Sequence, residues 1–170
     1  MLWAEDGINI NSLDKTLIVT FSKTFLLNLF LAPLWEEIGW RGYLLPMLSK
    51  GNSLRRAFAV VSAVWAIWHF ALYELILRVS LFSFTINFIG LVAISLILAT
   101  LYFVSGQNLI LPIVFHVSWN TALYSVNKIE PTFHAHALIF QTLVLWAIFG
   151  IMWFLYRERI EEDAGGPAAS

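Results

Sequence analysis

The stretch S-L-F-S-F-T-I-N-F-I-G-L-V-A-I-S-L-I-L-A-T-L-Y-F-V, residues 80–104, contains no charged side chain, and its polar groups are limited to hydroxyls and the amide of Asn87. A helix that crosses a lipid bilayer needs about 20 mostly apolar residues. This stretch is long enough, and it therefore predicts a membrane-spanning helix.

Further apolar runs lie on both sides of this stretch, at residues 16–34, 54–77, 109–126 and 134–156. Pro33 should kink the first run or begin a new helix, over about residues 34–48, because proline has no backbone N–H. The sequences S-K-G-N-S at 49–53, with Ser53 as a helix N-cap, and S-G-Q-N at 105–108 are typical of loops. The pattern predicts an all-α fold, a multi-pass transmembrane bundle of about five to six helices.

The composition favours a membrane protein, since 59% of the residues are hydrophobic and 12% are charged, against about 45–50% apolar and ~25% charged in soluble domains. The alternative is a soluble protein with a large buried helical core. We expect an N-terminal tail over 1–15, a transmembrane helical domain over 16–156 and a polar, disordered tail over 157–170. The expected location is the cell membrane, with no cleavable signal peptide.

The charge and the absence of cysteine exclude several kinds of function. The net charge is −1, and the sequence lacks the basic character typical of nucleic-acid binding, so no nucleic-acid partner is expected. The lipid bilayer is the expected environment. Because the chain has no cysteine, it has no disulfide, no thiolate metal ligand and no cysteine nucleophile.

Ionisable residues interrupt the apolar pattern in the run E-E-I-G-W-R-G at 36–42. A charged group at the centre of a membrane helix costs about 3 kcal/mol on insertion scales, and such groups mark functional or paired positions. Glu37 and Arg41 are four residues apart and can pair on one helix face. Glu36 points about 100° away from Glu37 around the helix axis, so its side chain can face a different cavity. The alternative is a solvated helical turn at the membrane surface.

Two histidines and an amide lie in other apolar runs. His69 ends the sequence W-A-I-W-H at 65–69, and His116 shares a helix face with Asn120, four residues later. Each has an ordinary explanation, as a core histidine bonded to a backbone carbonyl or as a polar pair that packs helices. Together with the two glutamates and Arg41, they supply a base, a second imidazole and donors that could stabilise an oxyanion.

Several other polar residues are expected to have structural roles. His134 and His136 lie at a helix start and are expected at the membrane interface. Glu74 and Arg78, four residues apart near a helix end, are expected to pair. Asn87 is expected to bond across helices.

At the charged and histidine motifs the sequence resembles the CPBP family of intramembrane proteases, which covers CAAX-prenyl-protease 2 and bacteriocin-processing proteins and is also called the Abi family. The family has three motifs in order, E-E-x-x-x-R, F-x-x-x-H and H-x-x-x-N/D. This chain has E-E-I-G-W-R at 36–41, W-A-I-W-H at 65–69 and H-V-S-W-N at 116–120. The similarity runs over about residues 30–125.

The resemblance implies a membrane-embedded endopeptidase with its catalytic motifs on three helices. It assigns Glu36 as the glutamate that activates water, with His69 as its partner. His116 and Asn120 match the residues that stabilise the oxyanion. The implied substrate is a peptide or a membrane protein, and in the eukaryotic branch of the family it is a prenylated C-terminal C-a-a-X sequence.

The same resemblance assigns Glu37 and Arg41 as the supporting pair of the first motif. The chain departs from the family at Trp40 and Trp65, where phenylalanine is common, and we expect these departures to change the shape of the pocket. Family members commonly carry further membrane helices before the first motif. The expectation is therefore a compact member, a fragment or a chain with a misplaced start.

Two other functions are alternatives. Two glutamates, two histidines and an asparagine could bind zinc, but H-E-x-x-H is absent, and the favoured expectation is a mechanism without a cofactor. The second alternative is a non-catalytic self-immunity or scaffold protein in the membrane. In that case the polar residues would only hold helices together.

Overall fold

A computed structural model describes residues 10–50, 53–69, 80–129 and 135–165. These residues form α-helices and one π-helical turn, with no β-strand among them, which confirms the predicted all-α fold. The helices are α1 Ile10–Leu31, α2 Pro33–Gly39, α3 Leu45–Ser49, α4 Leu54–Trp68, α5 Leu81–Val104, α6 Ile110–Ile129 and α7 Ala135–Gly165, and the π-helical turn is Trp40–Leu44.

Several helix boundaries lie at the predicted breakers. α1 ends at Leu31 and α2 begins at Pro33, with Ala32 between them, because Pro33 has no N–H with which to continue the hydrogen bonds of α1. The Ser53 hydroxyl accepts a hydrogen bond from the backbone N–H of Arg56 and caps α4. In the turn between α5 and α6, Gly106 has a φ of 71°, a conformation that glycine adopts without a side-chain clash.

The π-helical turn joins α2 to α3 and carries Arg41. The N–H of Leu45 donates to the carbonyl of Trp40, five residues back rather than four. Pro46 follows without an N–H, so the ordinary α-helical bond to Gly42 cannot form there. Such turns are frequent at functional sites, and here the turn begins within the first sequence motif.

Other boundaries differ from the prediction. α1 begins at Ile10 rather than at 16, and α7 continues to Gly165 rather than ending at 156. The arginines and glutamates after 156 are good helix formers, so the helix need not end where its apolar run ends. The described part of α4 ends at Trp68, which places His69 at the C-cap rather than within a helix. The division into domains stays a prediction.

Asn87 is a further correction. Its Nδ2 donates to the carbonyl of Ser83 at 2.8 Å, so the predicted bond across helices is replaced by one within α5, to a carbonyl four residues back that an Asn side chain can reach. His136 is exposed near the start of α7, and its place at the membrane interface stays a prediction. The predicted Glu74–Arg78 pair and His134 lie outside the described residues.

The second half of α5 is largely buried and forms the centre of the fold. α5 packs against α4, α6 and α7. The ring of Phe58 on α4 lies 5.7 Å from that of Phe103 on α5 and 5.9 Å from that of Trp153 on α7. A hydrogen bond of 3.2 Å from Asn28 Nδ2 to Thr121 Oγ1 joins α1 to α6. This packing positions α2, α4 and α6, which carry the three motifs.

Two helices in the described part of the chain are long and apolar enough to cross a membrane, Leu81–Val104 and His136–Ile160. Large apolar side chains along α7 are exposed, including Phe140, Leu143 and Phe154. Extended exposed apolar surface is typical of contact with lipid or with a partner. The other predicted crossings stay predictions.

Candidate active site

The first motif contains a fully buried ion pair. Glu37 and Arg41 have no exposed surface, and Arg41 Nη1 donates to Glu37 Oε1 at 2.9 Å. Arg41 Nη2 donates to the hydroxyl of Ser95 on α5 at 2.8 Å. His116 Nδ1, on α6, lies 2.8 Å from the same Glu37 oxygen. This burial is incompatible with a solvated turn at the membrane surface, and the pair links α2 to α5 and α6.

Glu36 faces a different environment from Glu37, as its helical position predicts. It is half-buried and lines a cavity, and its Oε2 accepts a hydrogen bond of 2.8 Å from the indole Nε1–H of Trp65. Trp65 is itself buried, so its indole is a firmly held donor. The carboxylate keeps further lone pairs, on Oε1 above all, that can accept a proton.

His69 lies one helical turn after Trp65, at the C-cap of α4. Its Nδ1 is 2.8 Å from the backbone carbonyl of Trp65. Because a carbonyl oxygen only accepts, Nδ1 carries the proton, and Nε2 is the nitrogen with the free lone pair in the neutral ring. The imidazole also packs against the indole, with 4.4 Å between ring centroids. Trp65 therefore holds Glu36 through its side chain and His69 through its main chain.

One cavity, about 290 Å³ in volume, brings residues of all three motifs together. Glu36, His69, His116 and Asn120 line it. The buried ion pair lies behind His116 and fixes the position of that ring. The cavity therefore presents a carboxylate, two imidazoles and an amide to anything bound within it, and its volume is near the lower end of small-molecule sites.

The contribution of Trp65 was missed by the sequence analysis, which treated it only as a replacement for phenylalanine that alters pocket shape. Its indole N–H binds Glu36, and phenylalanine has no such donor. The residue type was visible in the sequence, but its partner lies 29 positions away. Ser95, which binds Arg41, carried no signal that separates it from other serines.

The zinc alternative requires three or four protein ligands around one ion. Within the described ranges, no group of three or more histidine, aspartate and glutamate side chains is placed to hold a metal ion. Glu37 Oε1 is already bonded to Arg41 and His116. The Nδ1 of His69 is bonded to a backbone carbonyl, which leaves Nε2 as its free ring nitrogen.

The sequence over residues 19–122, which contains every candidate site residue, matches the family described as Type II CAAX prenyl endopeptidase Rce1-like. The chain belongs to this family. The match confirms the resemblance to the CPBP proteases, and together with the two long apolar helices it identifies a membrane protein.

The chain is also similar to CAAX prenyl protease 2 of the archaeon Methanococcus maripaludis, with 30% identity over 122 residues. That alignment covers 64% of this chain and 45% of the relative. The chain therefore spans less than half the length of this curated relative. No solved structure matches the chain.

Proposed function

We propose that the chain is an endopeptidase of the cell membrane that hydrolyses a peptide bond of a membrane-associated peptide or protein, with water activated by Glu36 and without a metal. The observation that carries the proposal is the convergence of Glu36, His69, His116 and Asn120 on one cavity. The similar protein of Methanococcus maripaludis is named CAAX prenyl protease 2, which supports the same class of reaction.

In this proposal Glu36 is the general base. Its carboxylate, oriented by the Trp65 indole, takes a proton from water as the water oxygen attacks the carbonyl carbon of the scissile bond. The Nε2 of His69 accepts the second hydrogen of that water and orients it. When the C–N bond breaks, Glu36 returns its proton to the departing amine, so the reaction consumes one water and no group stays modified.

His116 and Asn120 stabilise the negative charge that develops on the carbonyl oxygen. The Asn120 amide supplies one N–H donor. The Nδ1 of His116 is bonded to Glu37 Oε1, so Nε2 is the ring nitrogen that remains for the oxyanion, to which it donates when it carries a hydrogen. Removal of one such donor costs about 10²–10³ in kcat in well-studied hydrolases.

The proposal is tested with purified protein in detergent micelles and a peptide library that includes prenylated C-a-a-X peptides. Mass spectrometry should detect cleavage by the wild type and none by Glu36→Ala or His69→Ala. Equal cleavage by all three would exclude the assigned mechanism.

Elemental analysis and exhaustive chelation decide the zinc alternative, because loss of activity on chelation would favour it. A folded wild type that cleaves nothing would favour the immunity or scaffold role.

Replacing Trp65 by phenylalanine keeps a buried aromatic ring and removes the donor to Glu36. A hydrogen bond to a charged group contributes about 1.5–3 kcal/mol, so we expect kcat to fall about ten- to 100-fold because the carboxylate is less firmly oriented. KM should change less than kcat, since phenylalanine keeps an aromatic ring in the wall of the cavity. Steady-state kinetics on a cleaved peptide separates the two constants.

Trp146→Phe is the matched control for this substitution. Its indole N–H donates to the carbonyl of Ile89 at 3.3 Å, and Trp146 is not part of the catalytic cavity. We expect its kcat to equal that of the wild type. If Trp65→Phe also keeps the wild-type kcat, Trp65 does not position Glu36.

A further inference from the structure

The catalytic cavity has a second group of polar side chains that none of the three motifs supplies. Asn87 comes from α5, and Gln141 and Thr142 come from the first turns of α7. We call these three residues the neutral wall, because none of them carries a charge. The motif residues that line the same cavity come from α2, α6 and the C-terminal end of α4.

The position of the neutral wall is unusual for polar residues. α5 and α7 provide the two described segments that are apolar enough to cross a membrane, where polar side chains are costly and tend to be functional. Gln141 and Thr142 also lie beyond residue 122, where the match to the family ends. Part of the wall is therefore contributed by a segment outside the one that carries the catalytic motifs.

The hydrogen bonds within the wall determine what it can still bind. The Nδ2 of Asn87 donates one of its two hydrogens to the carbonyl of Ser83, which leaves the side-chain oxygen Oδ1 as an acceptor and one N–H as a donor. The single hydroxyl hydrogen of Thr142 points to the carbonyl of Ile86 at 3.3 Å, which leaves the Oγ1 lone pairs. All three side chains can therefore accept an N–H group, and Asn87 and Gln141 can also donate one. The wall therefore suits a ligand that presents N–H groups.

We propose that the neutral wall binds the main chain of an extended peptide, with Asn87 and Thr142 accepting main-chain N–H groups close to the bond that Glu36 attacks. The proposal rests on the proposed hydrolysis and adds how its substrate is recognised. A peptide drawn into an apolar environment has to bond its main-chain groups with the protein, since little water is available there. Recognition through the main chain would hold substrates of different sequence in one register.

The test uses binding rather than cleavage, so that it does not depend on turnover. Glu36→Gln protein in micelles is immobilised and exposed to the peptide library, and a retained peptide is labelled for fluorescence polarisation. A series of esters of this peptide follows, each with one amide N–H replaced by oxygen. We expect one or two esters to bind about fivefold or more weakly than the parent peptide.

The decisive variants combine Glu36→Gln with Asn87→Leu or with Thr142→Val. In each, the parent peptide should lose affinity, and the penalty for one ester should disappear because its acceptor is gone. Thr85→Val is the matched control, since the Thr85 hydroxyl also donates to a backbone carbonyl, that of Leu81 at 2.8 Å, but is exposed away from the cavity. It should leave every affinity unchanged.

The outcomes separate this proposal from the proposed reaction. Retention of no peptide, or ester penalties that persist in both variants, would overturn main-chain recognition by the wall even if the wild type cleaves peptides. Ester penalties that depend on Asn87 or Thr142 would support the wall. If the wild type then cleaved none of the retained peptides, the hydrolysis would be excluded while the binding assignment stood.

Discussion

Glu36→Gln protein should fold as the wild type does and lose peptide hydrolysis by about 10³-fold or more, at the upper part of the range for general acid–base catalysis. The glutamine side chain keeps an oxygen that can accept the Trp65 indole N–H, now at 2.8 Å from Glu36. It cannot take a proton from water at neutral pH. The expected loss therefore falls on kcat, with the affinity for peptide retained.

Single-turnover kinetics and peptide binding by the same preparation measure this effect. The thermal midpoint, followed by tryptophan fluorescence, should stay at the wild-type value and shows that the protein is folded. Activity within about tenfold of wild type would show that Glu36 is not the base. A large drop in the midpoint would instead indicate that Glu36 is needed mainly for packing.

Glu37→Gln, the same substitution one residue later, should destabilise the protein by about 3 kcal/mol, the lower end of the range for breaking a buried ion pair. Glu37 is fully buried and its Oε1 faces both Arg41 and His116. Glutamine still offers an oxygen to both, but the guanidinium loses its negative partner in a site that excludes water. The free energy of unfolding is measured by denaturant titration in mixed micelles.

Glu158→Gln provides the reference for this measurement, because Glu158 is exposed on α7. Its free energy of unfolding should change by less than about 0.5 kcal/mol. If Glu37→Gln were equally mild, the buried pair would not be a stabilising feature of the fold. The contrast between Glu36 and Glu37 then tests whether two adjacent carboxylates divide catalysis and stability between them.

The helical class and most helix starts could be predicted because they depend on local chemistry. Pro33 and Ser53 act on backbone groups within one turn. The length of an apolar run can be counted directly in the sequence. The C-terminal limit of α7 could not be predicted in this way. A helix continues wherever its residues tolerate helical geometry. The change from apolar to polar residues at 156 indicates a change in the surroundings of the helix, not an interruption of its backbone hydrogen bonds.

The candidate site was predicted residue by residue, whereas its connections were not. Glu37 and Arg41 are one turn apart, so their pairing follows from helical geometry. The contact of His116 with Glu37 joins residues 79 positions apart, and Gln141 reaches the cavity from a helix without a motif. Such contacts depend on how α5, α6 and α7 pack, which the period of a single helix does not encode.

The two bonds made by Trp65 have a mechanical consequence. Glu36 lies on α2 and His69 at the end of α4, so drift of one helix past the other would ordinarily change the separation of base and imidazole. Here Trp65 is bonded to both the Glu36 carboxylate and the His69 ring. When α4 tilts, the carboxylate should therefore move with it and keep its distance from the imidazole. The reacting geometry should thus be insensitive to bilayer thickness, and turnover should vary little between vesicles made from short-chain and long-chain lipids.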